Sequence, residues 1–252
     1  MPSFLARRPN GAPETTGGGS LPSEPYPPHP VDVDGELDPG LSRWLWLVKW
    51  VLVIPHIVVL VFLWIAVFFV TVFAFFAILF TGRYPRGLFD FTVGVLRWSW
   101  RVGFYSYQAL GTDRYPPFTL GEAPDYPTKL EIPYPEKLSR GLVLVKWWLL
   151  AIPHYLVLAI FFGWSTGKGN WGDDEMRNGR GEFDVNWGDG GGMGWPGLDH
   201  LLVIFAGIAL LFTTRYPRGI YEFVLGMNRW GLRVAAYVLL LRDEYPPFRL
   251  GR

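Results

Sequence analysis

From Trp44 to Phe80 the chain runs 37 residues with Lys49, His56 and Thr71 as its only notably polar side chains. A soluble core helix has no use for that much continuous apolar surface, whereas a bilayer core takes about 20 apolar residues per helix. The stretch therefore predicts an integral membrane protein. Of 252 residues, 50% are hydrophobic and 17% aromatic, more than an ordinary soluble domain has to hide. A net charge of +1 speaks against a general attraction to nucleic acid, so no nucleic-acid partner is expected. With no cysteine, disulfides, thiolate metal sites and cysteine nucleophiles are excluded. Residues 1–20 carry no apolar run, so the first hydrophobic span is expected to act as its own insertion signal.

An internal duplication organises the rest. LSRWLWLVKW at 41–50 recurs as LSRGLVLVKW at 138–147. Pro55-His56 recurs as Pro153-His154, one residue out of register with that first match. Arg83-Tyr84-Pro85-Arg86-Gly87 recurs from Arg215 to Gly219. Arg97-Trp98, Arg101 and Tyr105 recur as Arg229-Trp230, Arg233 and Tyr237, and Tyr115–Phe118 as Tyr245–Phe248. The order is the same in both halves. The chain divides into a Gly/Pro/Ser/Thr-rich disordered tail (1–25), a first membrane repeat (26–121) and a second (122–252), the second carrying a Gly/Trp-rich loop at 163–197.

That loop is polar and falls where the first copy is purely apolar. Irregular polar backbone does not sit in lipid. Each half is therefore expected to hold a transmembrane hairpin, roughly 42–62 with 64–81 and 139–163 with 198–214, the first turning near Phe62–Ala66. Trp64 and Trp164 are expected as interface anchors, and Arg83, Arg86, Arg215 and Arg218 as topology signals. By the excess of arginine and lysine at the hairpin ends, the protein reads as multi-pass in the inner (plasma) membrane. Both termini are then cytoplasmic and the acidic loop faces out.

A third helix follows each hairpin, about 88–110 and 220–241. At 100° per residue, Asp90, Gly94, Arg97, Arg101, Tyr105 and Gln108 form one stripe, matched by Glu222, Gly226, Arg229, Arg233 and Tyr237. Either the helix lies at the interface, apolar flanks in the leaflet and arginines at phosphates, or it is a third span with charged stripes meeting inside. The linker 111–137 alternates around Tyr115–Gly121 and Lys129–Ile132 and predicts a short β-hairpin, with Phe248–Leu250 pairing with Val31–Val33 by the repeat; extended polyproline-like chain is the alternative. The fold class is all-α membrane protein: two tandem repeats, each a hairpin plus an amphipathic helix, with short β elements outside the membrane.

These motifs, LVKW…IPH, then RYPRG and an RW-x-x-R helix, then YPPF, resemble a bacterial membrane family known as domain of unknown function 4389. The resemblance covers nearly the whole chain after residue 26. It implies a polytopic membrane protein and supplies no reaction, cofactor or catalytic residue.

Among candidate sites, Arg97, Arg101, Arg229 and Arg233 with Asp90 and Glu222 point to contact with lipid headgroups or an anionic ligand, since guanidinium forks suit phosphate. The bland alternative is intramolecular pairing. His56 and His154, each after a proline at similar depth, form a weak haem-ligand pair against the plainer reading of kink-stabilising residues. Asp173, Asp174, Glu175, Asp184 and Asp189 lack the spacing of a calcium loop. No nucleophile–base set, Walker loop or HExxH pattern appears. The expected function is a non-enzymatic scaffold or accessory protein, without cofactor, contacting anionic lipid or a membrane partner, that partner being another membrane protein or a second copy of itself. The alternative is a small transporter or channel lined by the arginine stripes.

Overall fold

The computed structural model describes residues 29–164, 195–196, 198–213 and 216–251. The tail 1–25, most of the loop 163–197 with its carboxylates, and Arg215 lie outside these residues, as does the side chain of Trp164. Within them the protein is mostly helical, with six α-helices and two small antiparallel ladders.

After a 3-10 turn at Leu45–Leu47, the long apolar stretch forms one uninterrupted helix, α1 (Lys49–Thr81). The hairpin 42–62 with 64–81 is thus corrected. From Ile57 to Thr81 the sequence has no Gly, Pro, Asn or Asp, the residues that supply a tight turn. A break near Phe62–Ala66 would free carbonyls that nothing there could satisfy, and helix continues instead. Lys49, Val53, His56, Leu60, Val67, Ala74 and Ile78 line one narrow buried stripe at helical spacing. The sides away from that stripe stay exposed and apolar from Trp50 to Phe80. Gly82 ends the helix at φ 71°, donating to the Ile78 carbonyl, a left-handed cap that a residue with a Cβ resists.

α2 (Arg86–Tyr105) starts directly after Pro85, which needs no N–H partner there. Its apolar residues go into protein, not into a leaflet as expected. Phe89, Val93, Leu96, Trp100 and Phe104 join the main core, while Trp98, Val102 and Tyr105 pack with Val53 and Leu60 of α1.

β1 (Asp32–Gly35) pairs antiparallel with β2 (Thr128–Glu131), placing Val33 opposite Leu130. Of the four expected strand segments, Val31–Val33 and Lys129–Ile132 fall at strands, and their partners differ from expectation. Tyr115–Gly121 and Phe248–Leu250 form no strand, and the two lead-in segments pair with each other. In the YPPF segments the prolines remove ladder donors.

The second repeat runs α3 (Arg140–Val145), a π-helical turn (Lys146–Leu150), α4 (Ile152–Phe162), β3 (Gly163–Trp164), β4 (Trp195–Pro196), α5 (Leu198–Thr213) and α6 (Arg218–Val238). The expected span 139–163 is divided among α3, the π-helical turn and the 11-residue α4, while α5 has about the extent expected of 198–214. β3 and β4 pair as a two-residue neck, so the chain leaves and returns at one point. The two copies also pack on each other. Leu138 donates to the Gly82 carbonyl at 2.9 Å, and the Trp46 indole lies against Gly207 of α5. Calling α1 one apolar rod and α3, the π-helical turn, α4 and α5 together the other, the start of each rod meets the later part of its counterpart.

Candidate functional site

The amphipathic helices carry the expected site, and each arginine has a definite place. Arg97 donates from Nε to the Leu130 carbonyl (3.2 Å) and from Nη2 to Glu122 (3.5 Å). Arg101, 1% exposed, donates from Nη2 to the carbonyls of Thr119 (2.5 Å) and Gly121 (3.1 Å). In the second copy Arg229 donates to Val33 O (2.8 Å) and Leu250 O (3.4 Å) and pairs with Asp34, while Arg233 donates to Gly251 O (2.9 Å). Three of the four guanidinium groups are buried, and all four bind backbone carbonyls. Each copy uses its arginines to hold the chain that follows its YPPF segment and the lead-in strand of the opposite copy. Burial, with Arg229 and Arg249 nearby, pulls Arg233 down to about 10, still protonated at neutral pH. Asp90 and Glu222 are exposed.

Close approach of helix and loop is built into the stripe. A Cβ on Gly94 would sit 2.9 Å from the Leu120 carbonyl oxygen, and one on Gly226 would meet Leu250 at 2.9 Å. Glycine at both places lets the loop lie on the helix.

Sequence reasoning missed a second duplicated device. Lys49, 1% exposed, pairs with Asp113 at 2.9 Å and donates to the Thr112 carbonyl at 2.7 Å. Its ammonium stands 4.8 Å from the Tyr105 ring. Lys146, wholly buried, repeats this with Asp243 at 2.8 Å, Arg242 O at 3.0 Å and the Tyr237 ring at 5.2 Å. The signal was there: each copy has one lysine in its apolar run and one aspartate two residues before Tyr-Pro-Pro-Phe.

The histidines sit one level deeper. His56 accepts from Trp98 Nε1 at 3.2 Å and stacks on Phe118, ring centroids 4.0 Å apart, with Tyr115 at 4.9 Å. His154 lies among Trp230, Tyr245 and Phe248. Each imidazole is enclosed by the aromatic set of its own copy, so the two do not converge on one macrocycle, and the haem pairing does not fit. Among the described residues no group of three metal-ligating side chains comes together.

The remaining basic residues stay outside. Arg83, Arg86 and Arg218 are exposed at the rod ends, and Arg86 lies over the Tyr134 ring at 4.8 Å. Trp64 donates to Ser99 Oγ at 3.1 Å. A cleft of about 530 Å³ beside the β1–β2 ribbon includes Arg97, Arg114 and Lys129, but Asp34, Glu36, Asp38, Glu122, Asp125 and Glu131 outnumber them there. Its field suits a cation better than the anion expected at Arg97.

A family model described as domain of unknown function (DUF4389) matches residues 43–119 and 200–249, two segments that together span half of the chain. No curated protein and no solved structure matches it. The first segment holds Lys49, Arg97, Arg101 and Tyr115–Phe118, the second holds Arg229, Arg233 and Tyr245–Phe248 without Lys146, and the chain belongs to the family of domain of unknown function 4389.

Proposed function

We propose that this protein is a non-enzymatic accessory or scaffold protein embedded in a bacterial inner membrane, contacting anionic lipid and a membrane partner or second copy. One observation supports the reading. Exposed large apolar side chains cluster on the two apolar rods and their flanks and on the rings of Tyr115, Phe118, Tyr245 and Phe248, with Phe223 the exception. The ribbon and α2 carry none. Returning each such Val, Leu, Ile or Phe to apolar surroundings is worth about 1.5–3 kcal/mol. α1 is long and apolar enough to cross a membrane; α4 and α5 are shorter apolar helices.

Multi-pass crossing with both termini cytoplasmic was the expectation from charge. Its charge basis survives in Arg43, Arg83, Arg86, Arg140 and Arg218 at the rod ends, while its first turn is absent. Lipid contact moves to these exposed arginines, because Arg101, Arg229 and Arg233 already serve backbone carbonyls. The same bonds weigh against a pore lined by the stripes.

Flotation of the purified full chain with vesicles of phosphatidylcholine, alone or mixed with phosphatidylglycerol, tests this. The protein should stay with both after an alkaline wash. Arg83→Ala with Arg86→Ala and Arg218→Ala should abolish a salt-sensitive preference for the anionic vesicles. Release by the wash would sink the membrane reading, and an unchanged preference would sink the headgroup assignment.

A further inference from the structure

The duplication is a symmetry in space, and it dictates how the molecule can sit in a bilayer. Val33 and Leu130 face each other in the ribbon, and they are separated by the same 97 residues that carry Leu41–Trp50 onto Leu138–Trp147. The flanking pairs, Asp32 with Glu131 and Asp34 with Lys129, exchange under that offset. An antiparallel ladder paired in this way has a two-fold axis through its central pair, normal to the ribbon. The cross-copy bonds obey the same axis: Arg97 reaches Leu130 O and Arg229 reaches Val33 O.

The axis also relates the two apolar rods. Residues at the end of α1 meet the start of α3, and Trp46 before α1 meets α5. The rods therefore run antiparallel, and the axis is perpendicular to them. α2 and α6 stand between rods and ribbon, since α1 packs on α2, α5 on α6, β2 on α2 and β1 on α6.

Consider rods that cross the bilayer. The axis then lies in the membrane plane at mid-depth and carries the ribbon with it. Asp32, Lys129 and Glu131, whose side chains are 50%, 52% and 57% exposed, would sit at the centre of the hydrocarbon. Ionised groups are strongly disfavoured at that depth. The basic ends of the rods would fall equally on both sides, against the asymmetry that orients membrane proteins. Length is a further obstacle. The 33 residues of α1 extend about 50 Å. Fitting them across about 30 Å of hydrocarbon needs a tilt of roughly 50°, outside the usual range of about 0–40°.

We propose that the protein lies in the membrane rather than across it. The two rods are sunk side by side in one leaflet, the two-fold axis runs along the membrane normal, and the charged ribbon faces water. This rests on the membrane reading above. Every charged rod end then reaches the same headgroup layer, and the apolar rods, α2 with α6, and the ribbon follow one another from lipid to water. A rod about 10 Å across fits within one leaflet.

Spin-label depth along α1 tests it. Val51, Val58, Ile65 and Val72 are exposed and seven residues apart, so they share one face, and the chain has no native cysteine to interfere. Single cysteine variants of the full chain, labelled and reconstituted in vesicles of phosphatidylcholine with phosphatidylglycerol, are read by oxygen against a water-soluble relaxing agent. Val51 and Val72 stand about 31 Å apart along the helix. In-plane embedding predicts all four labels at one depth, to within about one helix width. A deep centre at Val58 and Ile65 with shallow ends, or a steady change along the four, overturns the proposal and leaves the membrane reading standing. Labels that stay water-exposed throughout overturn both. In sealed vesicles an impermeant maleimide should reach Arg43→Cys and Arg83→Cys from the same side only; opposite sides would reject the in-plane arrangement.

Discussion

At the residue scale the protein is held by charges placed where charges are expensive. Lys49 and Lys146 are tolerated inside because each has a carboxylate, a carbonyl and a ring around its ammonium. Removing one partner of a buried pair costs about 3–5 kcal/mol, because the other charge stays behind. Asp113→Ala should therefore lower the unfolding temperature in detergent sharply, and Lys49→Met with Asp113→Asn should recover much of the loss. A double variant as poor as the single one would mean that the pair is incidental. Gly94→Ala should cost about 1–3 kcal/mol by pushing Leu120 off the helix. His29 titrates the other way. Burial and the nearby Arg233 hold it down at about 4, against 6.5 for a free imidazole. The unfolded chain thus takes up that proton first as pH falls, and stability declines from about pH 6.5 towards 4. His29→Gln should flatten that slope above pH 5, where carboxylates contribute little.

Between the elements, the informative comparison is α1 against its second-copy counterpart. Lys49 and His56 are seven residues apart, two α-helical turns; Lys146 and His154 are eight apart. The extra residue is absorbed by the π-helical turn at Lys146–Leu150, which keeps lysine and histidine facing their duplicated partners. Deleting Leu149, an exposed residue in that turn, should restore α geometry with little change in thermal stability. Deleting Val51 from α1 should rotate Lys49 away from Asp113 by about 100° and unfold the first copy; circular dichroism melts of the two deletions make the comparison. The one-residue slip was readable in the sequence, but its meaning was not, because a slip can be a loop, a kink or a bulge. The amphipathic stripes of α2 and α6 were likewise legible. A stripe says which residues avoid water, and it is silent on whether protein or lipid replaces the water. The stripe left open an interfacial helix or a third span, and Phe89, Trp100 and Phe104 pack into the protein core.

Seen whole, the molecule is one chain imitating a symmetric dimer, joined by exchange. The copies were plain in the sequence from LVKW, RYPRG and YPPF. The exchange was hidden, because equivalent segments could pair within a copy or between copies and the residues are the same either way. Arg229 carries more of the exchange than Arg97, being buried, bonded to Val33 O and paired with Asp34. Hydrogen bonds from a charged donor are worth about 1.5–3 kcal/mol. Arg229→Met should cost about that much in urea unfolding, and Arg97→Met, whose pairing with Glu122 is largely exposed, less. Equal losses would argue against the asymmetry. The neck formed by β3 and β4 offers a practical use. Gly163–Trp164 and Trp195–Pro196 hold the chain ends together whatever runs between them, and closing a longer loop costs only about 0.6 kcal/mol per doubling. A fluorescent or affinity domain spliced between residues 164 and 195 would leave the rods, the ribbon and both clasps as they are, making this neck the natural port for labelling the protein in a living cell.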